Sequence, residues 1–428
     1  MNVNTSSVQE VLRGGEKIDL YYYNSANLFT QERPTLSNTK FTQQINSLSG
    51  GVSQFIFSPY QGLSDVFLTL KLHKQDGLHD YTDYGLSRGW GYAMINQISV
   101  RYGGSSQYYF SGQQMMMQNV LDMQDAPTRD KLFSLGGQAC LPADFVNNQY
   151  AYCYLNLPHN SPNGVVKALP FPSELLRQPI LITVELKNPA SVFSVAPGQG
   201  ASLPPFDPLE EGYFQVRQVN MINSADLMTA HADPMNLNYV LPLKYFPNQE
   251  FTIQLPGGNL SNPAQISLTG FRNGQVKSIV MWLTSSADTP PVTANGALYN
   301  PFSWAAPANV TLSINGEIFY FSKYGSSLLI DLVNNVKANE LATAPLAIQT
   351  GALVAGSPYT SEFIKVDFSQ HCDVDSENSV LIAGKTITNS IVNVSFTTPD
   401  DTVGYTLHAL YIYNSSLVFS NGNCDYSF

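Results

Sequence analysis

A chain of 428 residues exceeds what one hydrophobic core usually holds, so two domains of roughly 200 residues each are expected. Charged residues make up only 12%, about half the ordinary share of roughly 25%, while the 12% of aromatics are almost all Tyr and Phe, a composition of strands and turns with little charge left for the surface. The net charge of −11 excludes a protein that coats nucleic acid, since phosphate binding needs clustered Lys and Arg and none is present beyond small solvated groups such as Lys71, His73 and Lys74.

Residues 1 to about 20 are polar and without clear period, which reads as an arm with little core of its own. Strand signals follow at Phe55 to Phe57 and at Val66, Leu68, Leu70 and Leu72, an alternating run with Phe67, Thr69 and Lys71 on its other face. A loop over 75–92 leads to a strand from Ile98. After Tyr109 the period changes from two to about 3.6, with Met116, Val120 and Met123 on one face, which predicts a short helix packed on a sheet. There Met115, Met116 and Met117 read as core filling in preference to a promiscuous binding surface. Strands are predicted at Tyr152 to Leu157, at Ile180 to Leu186 and at Phe214 to Met221, with a Gly- and Pro-rich loop between the last two. Residues 222–236 lack strand character and supply the best domain boundary. Beyond it the plan recurs at Phe251 to Leu255, Val276 to Leu283, Ile364 to Phe368, Val392 to Phe396, Tyr405 to Tyr413 and Leu417 to Phe419. About eight short strands in each half suit a jelly-roll sandwich better than a propeller or a solenoid.

The halves also share a local pattern. Ile98 to Tyr109 reads as strand, tight turn and aromatic strand, and Val310 to Phe321 repeats it 212 positions later. Gly103-Gly104 faces Asn315-Gly316, dipeptides that tolerate the positive φ of a primed hairpin turn. Chance is the alternative, because such patterns are common in all-β chains.

Candidate chemistry is sparse. Cys140, Cys153, Cys372 and Cys424 have no C-x-x-C spacing, leaving either one disulfide per half or scattered reduced thiols. His79, Asp80 and Asp83 share a loop but lack a second ligand set, and Asp373, Asp375 and Glu377 fail as a calcium loop because Asn378 and Gly384 stand where Gly and Glu are required. Glu210 and Glu211, as neighbours in a strand, should face opposite sides and not act jointly. No nucleophile elbow or phosphate loop appears, so no catalytic, cofactor-binding or metal residue is assigned and no cofactor is expected. Five N-x-S/T sequons, at Asn4, Asn259, Asn309, Asn393 and Asn414, would matter only in a secretory path. With no signal peptide in Met1 to Gly15 and no run of 18 apolar residues, a soluble protein made in a cytosol is expected.

The segment order resembles that of the double jelly-roll major capsid proteins of icosahedral DNA viruses, the type found in large eukaryotic viruses, virophages and tailless membrane-containing phages. The likeness rests on Ile98 to Met123, on Leu169-Pro170 before Ile180 to Leu186, on Phe214 to Met221, on Val310 to Phe321, and on Val392 to Phe396 with Leu407 to Asn414. The basic, aromatic segment that many capsid proteins of the large eukaryotic viruses carry near their start is reduced here to Asn27 to Pro34, and the small-residue tail is replaced by Cys424 to Phe428.

The resemblance implies an all-β fold of two tandem eight-stranded jelly-roll β-sandwiches with short helices in loops. The expected division is an arm over 1–20, a first jelly roll over 21–225, a linker over 226–236 and a second jelly roll over 237–428. It also implies a non-enzymatic major capsid protein, a homotrimeric pseudo-hexagonal capsomer that forms the shell of a virion and is made and assembled inside the host cell. Its partners would be itself, neighbouring capsomers, penton and minor capsid proteins and an internal membrane, with no sequence-specific nucleic acid. Residues 1–20 are the candidate inner contact, and the loops 75–92, 189–212 and 284–307 the candidate outer rims or towers. The alternatives are a carbohydrate-binding jelly roll, such as a viral spike or lectin, and a β-sandwich glycoside hydrolase.

Overall fold

The computed structural model describes residues 35–44, 50–57, 62–104, 107–122, 134–140, 142–147, 149–157, 173, 176–188, 192–195, 204–222, 239–243, 250–255, 263–271, 274–285, 302, 304–321, 363–368, 385–387, 390–413, 415–420 and 423–427. The arm over 1–20, the linker over 226–236, Leu169-Pro170, Cys372 and the Asp373, Asp375, Glu377 run lie outside the described residues, as do the sequons at Asn4, Asn259 and Asn414.

In the first half the strands are β1 (Thr35–Gln44), β2 (Val52–Phe57), β3 (Gly62–Leu72), β4 (Tyr84–Gly85), β5 (Ile95–Tyr102), β6 (Tyr108–Ser111), β7 (Tyr150–Tyr154), β8 (Ile180–Leu186), β9 (Ser194–Val195) and β10 (Leu209–Ile222). Helix α1 (Trp90–Met94) precedes β5, α2 (Gly112–Asp122) follows β6, and a 3-10 turn covers Pro142–Val146. The second half contributes β11 (Tyr239–Leu243), β12 (Glu250–Leu255), β13 (Ala264–Leu268), β14 (Gln275–Ser285), β15 (Trp304–Ala305), β16 (Ala308–Ile314) and β17 (Glu317–Phe321). It ends with β18 (Ile364–Asp367), β19 (Lys385–Thr386), β20 (Val392–Thr397), β21 (Tyr405–Tyr413), β22 (Ser415–Ser420) and β23 (Asn423–Ser427).

Pairing makes the two halves equivalent. One sheet of the first half has the order β1-β10-β3-β7 and the facing sheet β2-β8-β5-β6. The second half repeats this as β12-β21-β14 with β18 on β14, and as β13-β20-β16-β17. Every equivalent strand keeps its place and the ladders are antiparallel, so each half is an eight-stranded jelly roll. Period-two patterning drives it. In β8 Ile180, Ile182, Val184 and Leu186 are buried while the alternate residues are half-exposed, and β2 buries Phe55 and Phe57 against them.

The two strand-turn-strand units fall on equivalent hairpins, β5–β6 and β16–β17. The second turn is the two-residue kind expected, with Ile314 opposite Glu317 and positive φ at Asn315 (52°) and Gly316 (83°). The first is not, which corrects the expectation for Gly103-Gly104. Only Gly103 has positive φ there, and Val100 pairs with Tyr108, because Arg101 and Tyr102 stay bonded to β8 and carry β5 past its hairpin partner.

The candidate rims also differ from expectation. Tyr81, Tyr84, Leu86 and Trp90 in 75–92 are buried, as are Val192, Phe193 and Val195 in 189–212 and Phe302 and Trp304 in 284–307. Large aromatic surface outweighs the backbone's preference for water at these described residues, and in the fully described 75–92 the stretch around Leu78, 84% exposed, stands clear.

A further, three-stranded sheet has the order β11-β22-β23. Its last strand lies against β5 of the first jelly roll, where Tyr108 donates its hydroxyl to Asp425 Oδ1 at 2.7 Å.

Candidate functional site

A buried seam joins the two jelly rolls. Strand β14 is buried continuously from Ser278 to Leu283 and β21 from Leu407 to Tyr413, whereas β10 of the equivalent first sheet alternates from Gly212 to Val216. Both faces of the second sheet are therefore covered. One face looks into its own sandwich, where the Tyr411 hydroxyl donates to the Thr269 carbonyl at the end of β13, at 2.9 Å. The other carries Trp282 stacked on His408 at 5.1 Å, with His408 Nε2 3.0 Å from Thr284 Oγ1.

Trp304 links that face to the first jelly roll. Its ring lies 5.8 Å from Trp282, and its indole N–H donates to Gln113 Oε1 of α2 at 2.8 Å. Phe302 packs edge-on to Trp304 and reaches Gly89 at the start of α1, where a Cβ would stand 3.2 Å from the Phe302 ring. Met115, Met116 and Met117 are wholly buried, as core filling requires. Asn119 of the same helix donates to the Tyr92 hydroxyl at 3.2 Å, and that hydroxyl donates to the Tyr154 carbonyl at 3.1 Å. Buried hydrophobic residues of both halves form one continuous cluster.

The equivalent outer face of the first sheet is covered at its centre, where Thr69 is 3% exposed, and exposed along β7. Register places Lys71, Thr69 and Phe67 on β3 between Glu211, Tyr213 and Gln215 on β10 and Tyr150, Tyr152 and Tyr154 on β7. Tyr150 and Tyr152 are 40% and 39% exposed and stack on each other at 6.0 Å. Phe67 lies 5.3 Å from Tyr154. At the end of this face Lys71 donates to Glu210 at 2.9 Å and lies 3.8 Å from Glu211, and its pKa is raised chiefly by the Glu210 hydrogen bond. The two carboxylates thus converge, contrary to the strand-alternation expectation. A register shift between Leu209 and Glu211 makes Glu210 the extra residue of a β-bulge and turns both side chains to one cation.

The other sequence candidates are engaged locally. His79 Nδ1 lies 3.0 Å from Asp76, its ring stacks on His73 at 4.0 Å, and Asp80 accepts from the Thr82 hydroxyl and backbone N–H. The hydrogen bonds from Leu78 and His79 hold the Asp76 carboxyl below its usual range, and those from Thr82 do the same for Asp80. Among the described residues no three His, Cys, Asp or Glu side chains gather as a metal site. Cys140, Cys153 and Cys424 are buried free thiols whose pKa values burial pushes up, so they are poor nucleophiles. A groove of about 410 Å³ on the second jelly roll is lined by Gln265, Ser267, Thr311, Ser313, Asn393 and Ser395, none of which titrates as an acid or base near neutrality. The Asn309 and Asn393 sequons join the sheet network, to Thr397 and Ser267 respectively.

Sequence reasoning missed the seam. The signal was present in the unbroken apolar runs of β14 and β21, which differ from the alternating strands elsewhere.

Comparison with solved structures matches the strand order. The VP54 chain of PBCV-1, as fitted into the virophage Sputnik, aligns with TM-score 0.59 at 12% identity, over 93% of this chain and 98% of that one. The chain has the double jelly-roll fold of viral major capsid proteins. The Sputnik virophage structure gives TM-score 0.51 at 13% identity, over 96% of this chain and 93% of that one. A chain of the PBCV-1 virus capsid matches as VP54 does, with TM-score 0.59 and 12% identity over 93% of this chain and 98% of its own. No family model and no curated protein matches this double jelly roll by sequence.

Proposed function

We propose that the protein is the major building block of an icosahedral virus shell, acting by self-assembly and without a catalytic step. The observation that carries this reading is the pair of topologically identical jelly rolls joined through a dry aromatic seam in one chain. Two similar lobes taken three times around an axis give six, so a homotrimer fills a six-fold position in a shell. On this reading 21–225 and 237–428 are the lobes, 226–236 the linker, and 1–20 an arm for inner contacts. Neighbouring capsomers, penton and minor capsid proteins and an internal membrane are the partners. The acidic balance suits a wall that does not itself grip the genome.

Size-exclusion chromatography with light scattering tests it. The expected species has three times the 47.0 kDa chain mass and assembles into shells or sheets visible by electron microscopy. A stable monomer that binds glycans would overturn the proposal in favour of a lectin.

A further inference from the structure

The sheets β2-β8-β5-β6 and β13-β20-β16-β17 share one strand plan but not one surface. In the first, the outward residues mix exposed Val52 and Ile56 with the charged Glu185 and Arg101. In the second, register sets Gln265 beside Ser395 and Thr311 in one row, and Ser267 beside Asn393 and Ser313 in the next. These six uncharged side chains line the groove of about 410 Å³, over a floor that includes buried Ile266 and Val394. Because the backbone pairing is the same in both sheets, the fold does not demand this neutrality. Ser267 Oγ donates to Asn393 Oδ1 at 2.6 Å, which leaves both amide hydrogens of Asn393 without a partner. Gln265, Thr311, Ser313 and Ser395 have no side-chain partner among the described residues.

From this array we infer that the groove binds a short neutral oligosaccharide. Its lining has no cation to hold a phosphate, sulfate or carboxylate group, and no carboxylate to hold a metal ion. Hydroxyls and amides both give and accept hydrogen bonds, as the hydroxyls of a sugar require. Neighbouring strands stand about 4.8 Å apart, close to the length of a pyranose ring, so three strands can meet successive sugars of one chain. At one end of the array Ile318, opposite Ser313 in the ladder, and Ile391, which precedes Asn393 on the same strand path, are each 63% exposed. They offer aliphatic surface to the C–H face of a sugar ring, and the groove volume lies within the range of about 300–1,000 Å³ usual for small-ligand sites. No residue of the seam lines the groove, so a shell protein can carry this site without altering how its lobes meet.

The test uses the full chain, produced in bacteria so that it carries no glycan of its own. It is titrated with cellotriose, maltotriose, mannotriose and chitotriose, and with sialyllactose as the charged control. At least one neutral trisaccharide should shift the methyl resonances of Ile318 and Ile391 in isotopically labelled protein, and sialyllactose should not. Thr311→Val with Ser313→Ala removes two hydroxyls at little change of shape and should weaken that binding at least about tenfold. Asn393→Asp, which replaces two donors by a charge, should do the same, whereas Thr183→Val on the equivalent sheet of the first jelly roll should bind as the parent does. The same trisaccharides fixed to a surface by their reducing ends separate a displayed glycan, captured in that form, from a free sugar, captured only in solution. Failure of every neutral sugar to bind, binding that survives both groove variants, or a preference for sialyllactose overturns the assignment and leaves the capsomer reading intact. Groove variants that bind sugar like the parent but no longer assemble overturn it in favour of a contact between copies. A monomeric parent that binds sugar through the groove sustains the assignment and overturns the capsomer reading.

Discussion

Gly91 shows how closely α1 packs on β7. A Cβ there would stand 2.6 Å from both Cys153 Sγ and Ala151 Cβ, and none of these atoms belongs to a long flexible side chain. Gly91→Ala should therefore cost about 1–3 kcal/mol in chemical denaturation, the usual penalty for overfilling a packed core. His73 sets a different dependence. Burial lowers its pKa below 6.5, the stacked His79 lowers it further, and Glu210, Asp207 and Asp76 oppose both only in part. The unfolded chain thus holds the proton more tightly than the native one, so the stability is complete above 6.5 and falls as pH drops through the folded value. Melting temperatures measured between about pH 7.5 and 5.5 should decline for the parent and decline less for His73→Gln. The Asp76 and Asp80 carboxyls, likewise held below 3.8, add stability that is lost only at more acid pH.

Among the elements, hairpin β16–β17 depends on its turn. Gly316 has φ of 83°, a region that costs a residue with a Cβ about 1–2 kcal/mol, so Gly316→Ala should lower the unfolding midpoint by that amount, whereas the same change at Gly77, with open space around it, should be nearly silent. Elements with a clean period were legible from residues alone. Strand β8 begins and ends where its Ile and Val alternation does, and β21 where its apolar run does. Strand β1 was not legible, because its only large apolar residues, Leu36 and Phe41, are an odd number apart in the sequence and so give no period-two signal. Its placement comes from pairing along β10. The tyrosine face was equally hidden, since Tyr150 and Tyr152 look like ordinary strand residues until register sets them beside β3 and β10.

At the scale of the molecule the continuous core couples the lobes. Thermal unfolding followed by far-UV circular dichroism should show a single transition. Trp304→Ala, which removes the ring bridging Trp282 and Gln113, should cost about 3–5 kcal/mol and separate that transition into two. Duplication itself was readable from the repeated hairpin, but the way the copies meet was not, because the meeting residues come from five separate segments. The bond between Tyr108 and Asp425 has a further consequence, for its partners lie 317 positions apart. At about 5–20 residues per second a ribosome takes roughly 15–60 s to cover that distance. The leading lobe is itself complete only once β10 has been made at Ile222, and from then until Asp425 its clasp is still unmade. The bond that ties tail to head forms only near the end of translation, so a chain cut short before Asp425 lacks it.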